Sequence, residues 1–168
     1  MRTLLLLLAL TGVAGADPQP QPPQPPLWDA ELRLGYGFEM IGGDNMTAAH
    51  SAPMTIEGIA AYAINDDPWL YGYGGFVIEA VDRNSIGGTA GLQLGAGNLR
   101  ARLGGVYLFA PLSLYGLNAS GGICRRMTAS IKACGDLAIT EYFAGKDLAD
   151  GHAVTQVQLV LGMVIDGT

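Results

Sequence analysis

Glu31 to Met40 reads ELRLGYGFEM, and its alternate residues fall into two sets of opposite character. Leu32, Leu34, Tyr36, Phe38 and Met40 form one set; Glu31, Arg33, Gly35, Gly37 and Glu39 form the other. Successive side chains of a β-strand point to opposite faces, so this stretch is a strand with one apolar, charge-free face and one face of charges and glycines. What that division means depends on whether it recurs.

It recurs along the chain. At about 53 to 64, Met54, Ile56, Gly58, Ala60 and Tyr62 oppose Thr55, Glu57, Ile59 and Ala61, and the segment ends in the turn residues Asn65-Asp66-Asp67-Pro68. The next, running to about Val81, sets Leu70, Phe76, Ile78 and Ala80 against Tyr71, Tyr73, Val77 and Glu79. Ala90, Leu92, Leu94 and Ala96 alternate with Thr89, Gly91, Gln93 and Gly95 before a tight turn at Gly97-Asn98. Leu99, Ala101, Leu103, Tyr107 and Phe109 then oppose Arg100, Arg102, Gly104 and Val106. At about 112 to 124, Tyr115, Leu117, Ala119 and Ile123 oppose Gly116, Asn118, Ser120 and Cys124. From about 130 to 143, Ile131, Ala133, Leu137 and Ile139 oppose Lys132, Cys134, Asp136 and Thr140. A last segment, about 153 to 165, sets Val157, Leu159, Leu161, Met163 and Ile165 against Gln156, Gln158 and Gly162. Every charge in the middle of a segment lies on the second face.

Composition agrees. The 168 residues are 49% hydrophobic and only 14% charged, with a mean hydropathy of +0.28, whereas an ordinary soluble domain carries about 25% charged residues. Past the first residues no apolar run approaches the roughly 18 residues that a spanning helix requires. A net charge of -6 with only 9 Lys and Arg argues against a nucleic-acid partner. The length suits one domain.

A soluble barrel turns its apolar face inward and meets water with many Lys, Glu and Asp. Here the polar face is instead rich in Gly, Gln, Ser and Thr with a sparse, mixed set of charges, and the apolar face is large and bears aromatics. In a transmembrane barrel the apolar face meets lipid, and strands of about 9 to 11 residues cross it. The expected fold is therefore all-β: an eight-stranded antiparallel up-and-down transmembrane β-barrel. Closure is obligatory, because an open sheet edge in lipid would leave backbone groups unsatisfied.

The N-terminus reads as an export signal over residues 1-16, with Arg2, the apolar Leu4 to Leu10 and the small residues Ala14-Gly15-Ala16. Residues 17-27 form a Pro/Gln-rich linker, DPQPQPPQPP from Asp17 to Pro26, expected as an extended spacer. The barrel domain is expected over 28-168. With the N-terminus periplasmic, outward loops fall near 41-52, 82-87, 109-112 and 144-152, and periplasmic turns near 65-68, 97-98 and 125-129. Tyr36, Tyr62, Tyr107 and Tyr115 are expected at the membrane interfaces.

Over roughly residues 28 to 166 the chain resembles the small outer-membrane barrels of the OmpA/OmpX type. The likeness is one of pattern, carried by the alternation, short turns on one side and longer loops on the other. It departs at the C-terminus, where such barrels usually end in an aromatic residue and this chain reads Val164-Ile165-Asp166-Gly167-Thr168.

Eight strands give a narrow interior filled by side chains. A buried charge must find a partner, so Glu31, Arg33, Glu57, Glu79, Arg100, Arg102, Lys132 and Asp136, with Glu39, are expected to form an ion-pair network that plugs the lumen. The resemblance implies the same, since lumens of that family carry Arg and Glu pairs. Cys124 and Cys134, the only cysteines, are expected to form a disulfide, because strand pairing around Ala129 sets them opposite each other in an exported chain.

Catalytic and metal chemistry is sparse. His50 and His152, with Asp44, Asp147 or Asp150, are the only candidate metal set, and His50-Ser51 the only candidate nucleophile and base; neither carries a metal, cofactor or enzyme assignment. The functional expectation is a non-enzymatic barrel, monomeric in outer-membrane lipid, acting structurally or through its outer loops on a partner the residues do not identify. The alternatives are a soluble secreted barrel for an apolar ligand, a small-solute pore and a lipid-modifying barrel enzyme.

Overall fold

The computed structural model describes residues 27-42, 48-64, 69-81 and 83-167. The expected signal peptide, nearly all of the linker, the Asn65 to Pro68 turn and Asp44 lie outside the described residues.

Nine strands and no helix are present among the described residues: β1 (Trp28–Gly42), β2 (Ala48–Ser51), β3 (Met54–Ala63), β4 (Leu70–Ala80), β5 (Ser85–Ala96), β6 (Leu99–Ala110), β7 (Leu114–Arg126), β8 (Ile131–Ala144) and β9 (Ala153–Gly167). Each pairs antiparallel with its neighbour, and β1 also pairs with β9, which closes the sheet. The closing seam runs from Trp28 opposite Gly167 to Gly42 opposite Ala153. β2 and β3 are one barrel strand in two pieces, because both pair with the same side of β1. The interruption is at Ala52 and Pro53: Pro53 has no N–H to donate to the ladder, and the Ala52 N–H reaches the Gly37 carbonyl at 3.0 Å. The barrel is thus eight-stranded. Both ends of the described chain lie at one rim, and the longest connection, between Ala144 of β8 and Ala153 of β9, lies at the other, here called the loop end.

Side-chain orientation follows the alternation. Leu34 is 52% exposed and Leu103 63%, whereas Arg33 between its apolar neighbours is 2% exposed and Glu31 4%. A surface of exposed Leu, Ile, Phe and Tyr around buried Arg and Glu reverses a water-soluble protein and suits a hydrocarbon solvent. At the terminal rim, Gly97 makes the two-residue β5–β6 turn with φ of +62°, a conformation that lacks a Cβ penalty only for glycine.

Two connections are shorter than the sequence pattern suggests. Residues 41-42 and 48-51 of the first expected loop are strand, and β5 begins at Ser85 rather than after 87. Backbone pairing alone extends these hairpins beyond the alternating segments, as in Met40 opposite Ala49 and Val77 opposite Gly87.

The lumen is layered. At the loop end, inward-facing Leu108, Leu114 and Val154 pack with Val106, Val77 and Tyr142, against which Ile41, Leu112 and Leu148 also lie. Ile59, Ala61, Tyr71 and Tyr73 make a second apolar cluster toward the terminal end. Polar and charged side chains fill the space between and around them.

Inward glycines make room for these long side chains, while several outward glycines have no such constraint. A Cβ at Gly104 would collide with the Ala90 carbonyl oxygen and the Tyr73 hydroxyl, whereas at Gly105 the nearest atom is the Gly116 carbonyl oxygen at 3.9 Å. Gly104→Val is expected to cost at least about 1–3 kcal/mol through overpacking, and Gly105→Ala to change little. Urea titration of the barrel refolded in detergent micelles, with the two variants compared side by side, measures the difference.

Candidate functional site

The centre of the lumen holds a charge cluster built from five strands. Glu31 and Arg33 come from β1, Glu57 from β3, Arg100 and Arg102 from β6 and Asp136 from β8, with Gln93 of β5 beside them. Residues two apart on a strand share a face, which is why Glu31 with Arg33, and Arg100 with Arg102, both point inward. The space they need comes from Gly162 and Gly122: a Cβ at the first would meet the Glu31 carboxylate, and one at the second the Asp136 carboxylate.

Arg100 is the hub. Its Nη1 and Nη2 donate to Glu31 Oε2 and Oε1 at 2.8 and 2.7 Å, a fork-to-fork geometry. Its Nε donates to Asp136 Oδ1 at 2.9 Å, and Nη2 also reaches Asp136 Oδ2. Arg33 donates to Glu57 Oε2 at 2.6 Å and to Asp136 Oδ2 at 3.1 Å. Arg102 donates to Glu31 Oε2 and, through Nε, to Gln93 Oε1 at 2.6 Å, while its guanidinium carbon lies 5.6 Å from the centroid of the Tyr73 ring. Gln93 passes the chain on to Asp29 Oδ2 at 3.2 Å. Three arginines meet three carboxylates in direct ion pairs, so these six charges balance; Asp29 is joined to them only through the neutral Gln93.

Glu79 and Lys132 lie elsewhere. Glu79 belongs to a second cluster nearer the loop end, where its Oε1 accepts from Tyr142 Oη at 3.1 Å and Gln156 Nε2 at 2.9 Å. Gln156 Nε2 also donates to Glu39 Oε2 at 3.1 Å, and Arg83 joins Glu39 to Glu79. Lys132 lies at the terminal end, with Nζ 2.9 Å from Asp166 Oδ2, an atom that Arg126 shares at 3.2 Å. Between the levels, Asn118 donates to Thr140 at 2.6 Å and Thr55 to Gln158 at 3.2 Å. A side chain's face follows from its sequence parity, but its height in a tilted barrel follows from strand stagger, which divides the charged residues into three groups.

Asp29, Arg83, Tyr142 and Asp166 are charged or hydroxyl-bearing members of these groups that the sequence pattern did not single out. Tyr142 continues the inward parity of Asp136 and Thr140, so its place was available to be read; Arg83 lies in a connection with no alternation to follow. Cys124 and Cys134 face each other across β7 and β8 and form a disulfide.

The remaining candidates lie toward the loop end. His50 stands opposite Glu39 and Ser51 opposite Phe38, and the two neighbours on β2 both border one loop-end cavity beside Glu39 and Arg83. His152 Nδ1 contacts the Asp150 carbonyl oxygen at 3.0 Å, and Asp147 accepts from the Ser113 N–H at 2.6 Å. Among the described residues no group of three or more His, Cys, Asp or Glu is placed to hold a metal ion.

No protein-family model matches the sequence, and no curated protein matches it. Among solved structures, a de novo designed transmembrane β-barrel is similar over 84% of this chain and 97% of its own, at 14% identity and a TM-score of 0.51. Neisserial surface protein A aligns over 83% of this chain and 96% of its own, at 12% identity and a TM-score of 0.48. The attachment invasion locus protein of Yersinia pestis aligns over 82% and 98%, at 14% identity and a TM-score of 0.44. The closed antiparallel sheet, together with the first of these likenesses, is the fold of a small eight-stranded transmembrane β-barrel.

Removing one partner of a buried ion pair leaves the other charge uncompensated, at about 3–5 kcal/mol. Arg100→Met leaves Glu31 to Arg102 and Asp136 to Arg33 but puts three carboxylates against two arginines, and it is expected to lose about that much in urea unfolding from lipid vesicles. The exposed Arg125→Met should change stability by less than about 0.5 kcal/mol.

Proposed function

We propose that the protein is an outer-membrane barrel with a plugged lumen, which acts structurally or through what its loops contact outside the cell. The observation that carries this reading is the cluster of paired charges around Arg100, which draws side chains from strands around the barrel into the space a channel would need. A pore selective for ions favours one sign of charge around an opening; here the central charges neutralise one another, and the apolar Leu108, Leu114 and Val154 pack above them at the loop end. The loop end, which carries the longest connection, between Ala144 and Ala153, is read as facing outward, as in barrels whose longer connections are extracellular.

The soluble apolar-ligand alternative needs the large hydrophobic side chains to point inward, and they point outward. Outer-membrane lipid is then the surrounding medium, a monomer suffices to close the sheet, and no catalytic residue, cofactor or metal enters this reading. The connection between β8 and β9 is the longest at this rim and starts beside the end of β1, because β1 pairs with β9; it is the main candidate for the displayed surface.

In a planar lipid bilayer the purified barrel is expected to give no steady conductance at 100 mV in about 1 M KCl, and the double variant Arg100→Ala/Arg102→Ala to give discrete cation-favouring openings. Steady anion- or cation-selective current from the unaltered protein would refute the plug. Sedimentation with outer membranes, together with a shift in gel mobility between unheated and heated samples, tests the location and the closed fold separately.

A further inference from the structure

Arg83 enters the loop-end mouth from the connection between β4 and β5. That connection has an unusual backbone: Val81 has φ of +65° and Asn84 φ of +48°, in the left-handed region that β-branched residues rarely occupy. The guanidinium brought inward by this turn sits between two carboxylates. Its Nε is 2.9 Å from Glu79 Oε2, its Nη2 bonds Glu39, and its central carbon is 5.8 Å from the centroid of the Tyr142 ring.

The seat itself is made by the barrel wall. Glu39 comes from β1, Glu79 from β4, Tyr142 from β8 and Gln156 from β9, and the last two hold Glu79 in place by donating to it. Ser85, buried and directly opposite Glu79, has a hydroxyl without a hydrogen-bond partner among the described residues. Among the described residues, two carboxylates facing one guanidinium leave the group one formal negative charge in excess, unlike the six paired charges below it. A cavity of about 390 Å³ opens on the Glu39 and Arg83 side of the seat, lined by these two with His50, Ser51 and Pro53, while Glu79 lies buried behind the guanidinium. Opposed carboxylates, an aromatic face and an adjoining cavity suit a planar or tetrahedral organic cation.

We infer that the mouth is a recognition site for the guanidinium or alkylammonium group of an external ligand, and that Arg83 occupies the cation's place when the ligand is absent. The inference rests on the proposed outward orientation of the loop end only for where the ligand comes from. A ligand cation takes the seat between Glu39 and Glu79, its remainder lies in the adjoining cavity, and Arg83 is released. No bond is made or broken in the exchange.

The test is calorimetric titration of the micelle-embedded barrel with two probes: agmatine, a free guanidinium compound, and a pentapeptide with one arginine flanked by glycines. Arg83→Ala removes the internal competitor and is expected to bind at least one probe ten-fold or more tightly than the unaltered protein. Arg83→Ala/Glu39→Gln/Glu79→Gln is expected to lose that gain. Agmatine binding identifies a free cation as sufficient; binding of the peptide alone identifies an arginine side chain of a protein as the ligand. A folded Arg83→Ala barrel that gains affinity for neither probe overturns the inference, as does a gain that survives in the triple variant. If Arg83→Ala does not refold, NMR of the unaltered protein decides: agmatine must shift the Arg83 Nε–Hε and Tyr142 ring resonances, and unmoved signals overturn the inference. Protease accessibility of the loops on intact cells reports orientation independently, so a failure there leaves the micelle result to stand on its own.

Discussion

Hydrocarbon offers no hydrogen bonds, and the seam between β1 and β9 is where the chain meets that constraint. Without the seam two strand edges would leave their N–H and C=O groups facing lipid, each at a cost of several kcal/mol. β1 therefore pairs with β9 from Trp28 to Gly42 and with the β2–β3 strand on its other side. The same strand supplies Glu31, Arg33 and Glu39 to the interior, so the element that closes the sheet also reaches two of the charge clusters. Closure gives these charges a lipid-free place, and their pairing makes that place tolerable.

The interior charges serve specificity better than net stability. A buried ion pair recovers little more than its desolvation, while an unpaired member is strongly destabilising. A one-residue register slip would turn Arg33 and Glu31 to the lipid and Leu32 and Leu34 to the lumen. Arg100, bonded at once to Glu31 of β1 and Asp136 of β8, rejects such a slip from both partners. Where the charges are balanced the lumen is filled; where Glu39 and Glu79 outnumber Arg83, it adjoins a cavity.

Much of this was legible before any coordinates. The split between Leu32, Leu34, Tyr36 and Glu31, Arg33 carried the strand assignment, the face assignment and the lipid environment, because all three depend on a period of two. The opposition of Cys124 and Cys134 followed from the short turn between them. What period two cannot convey is height: Glu79 and Lys132 share the parity of the central charges but sit at other levels, because stagger along tilted strands separates residues of equal parity. Leu108, Leu114 and Val154 depart from the rule that apolar residues face out, since packing within the mouth rewards burial on the inner face too. Arg83 was illegible for a different reason. Its inward course depends on the left-handed backbone at Val81 and Asn84, which no alternation announces.

The central claim is that this barrel is inverted relative to a soluble one, with leucines in lipid and arginines within. NMR of the barrel in micelles with a paramagnetic fatty acid dissolved in the hydrophobic phase tests it most directly. The methyl groups of Leu34, Leu103 and Leu161 are expected to broaden strongly, while the Arg33 and Arg100 Nε–Hε signals stay sharp and exchange slowly with water. Sharp leucine methyls together with rapidly exchanging arginines would place the charges in solvent and contradict the account.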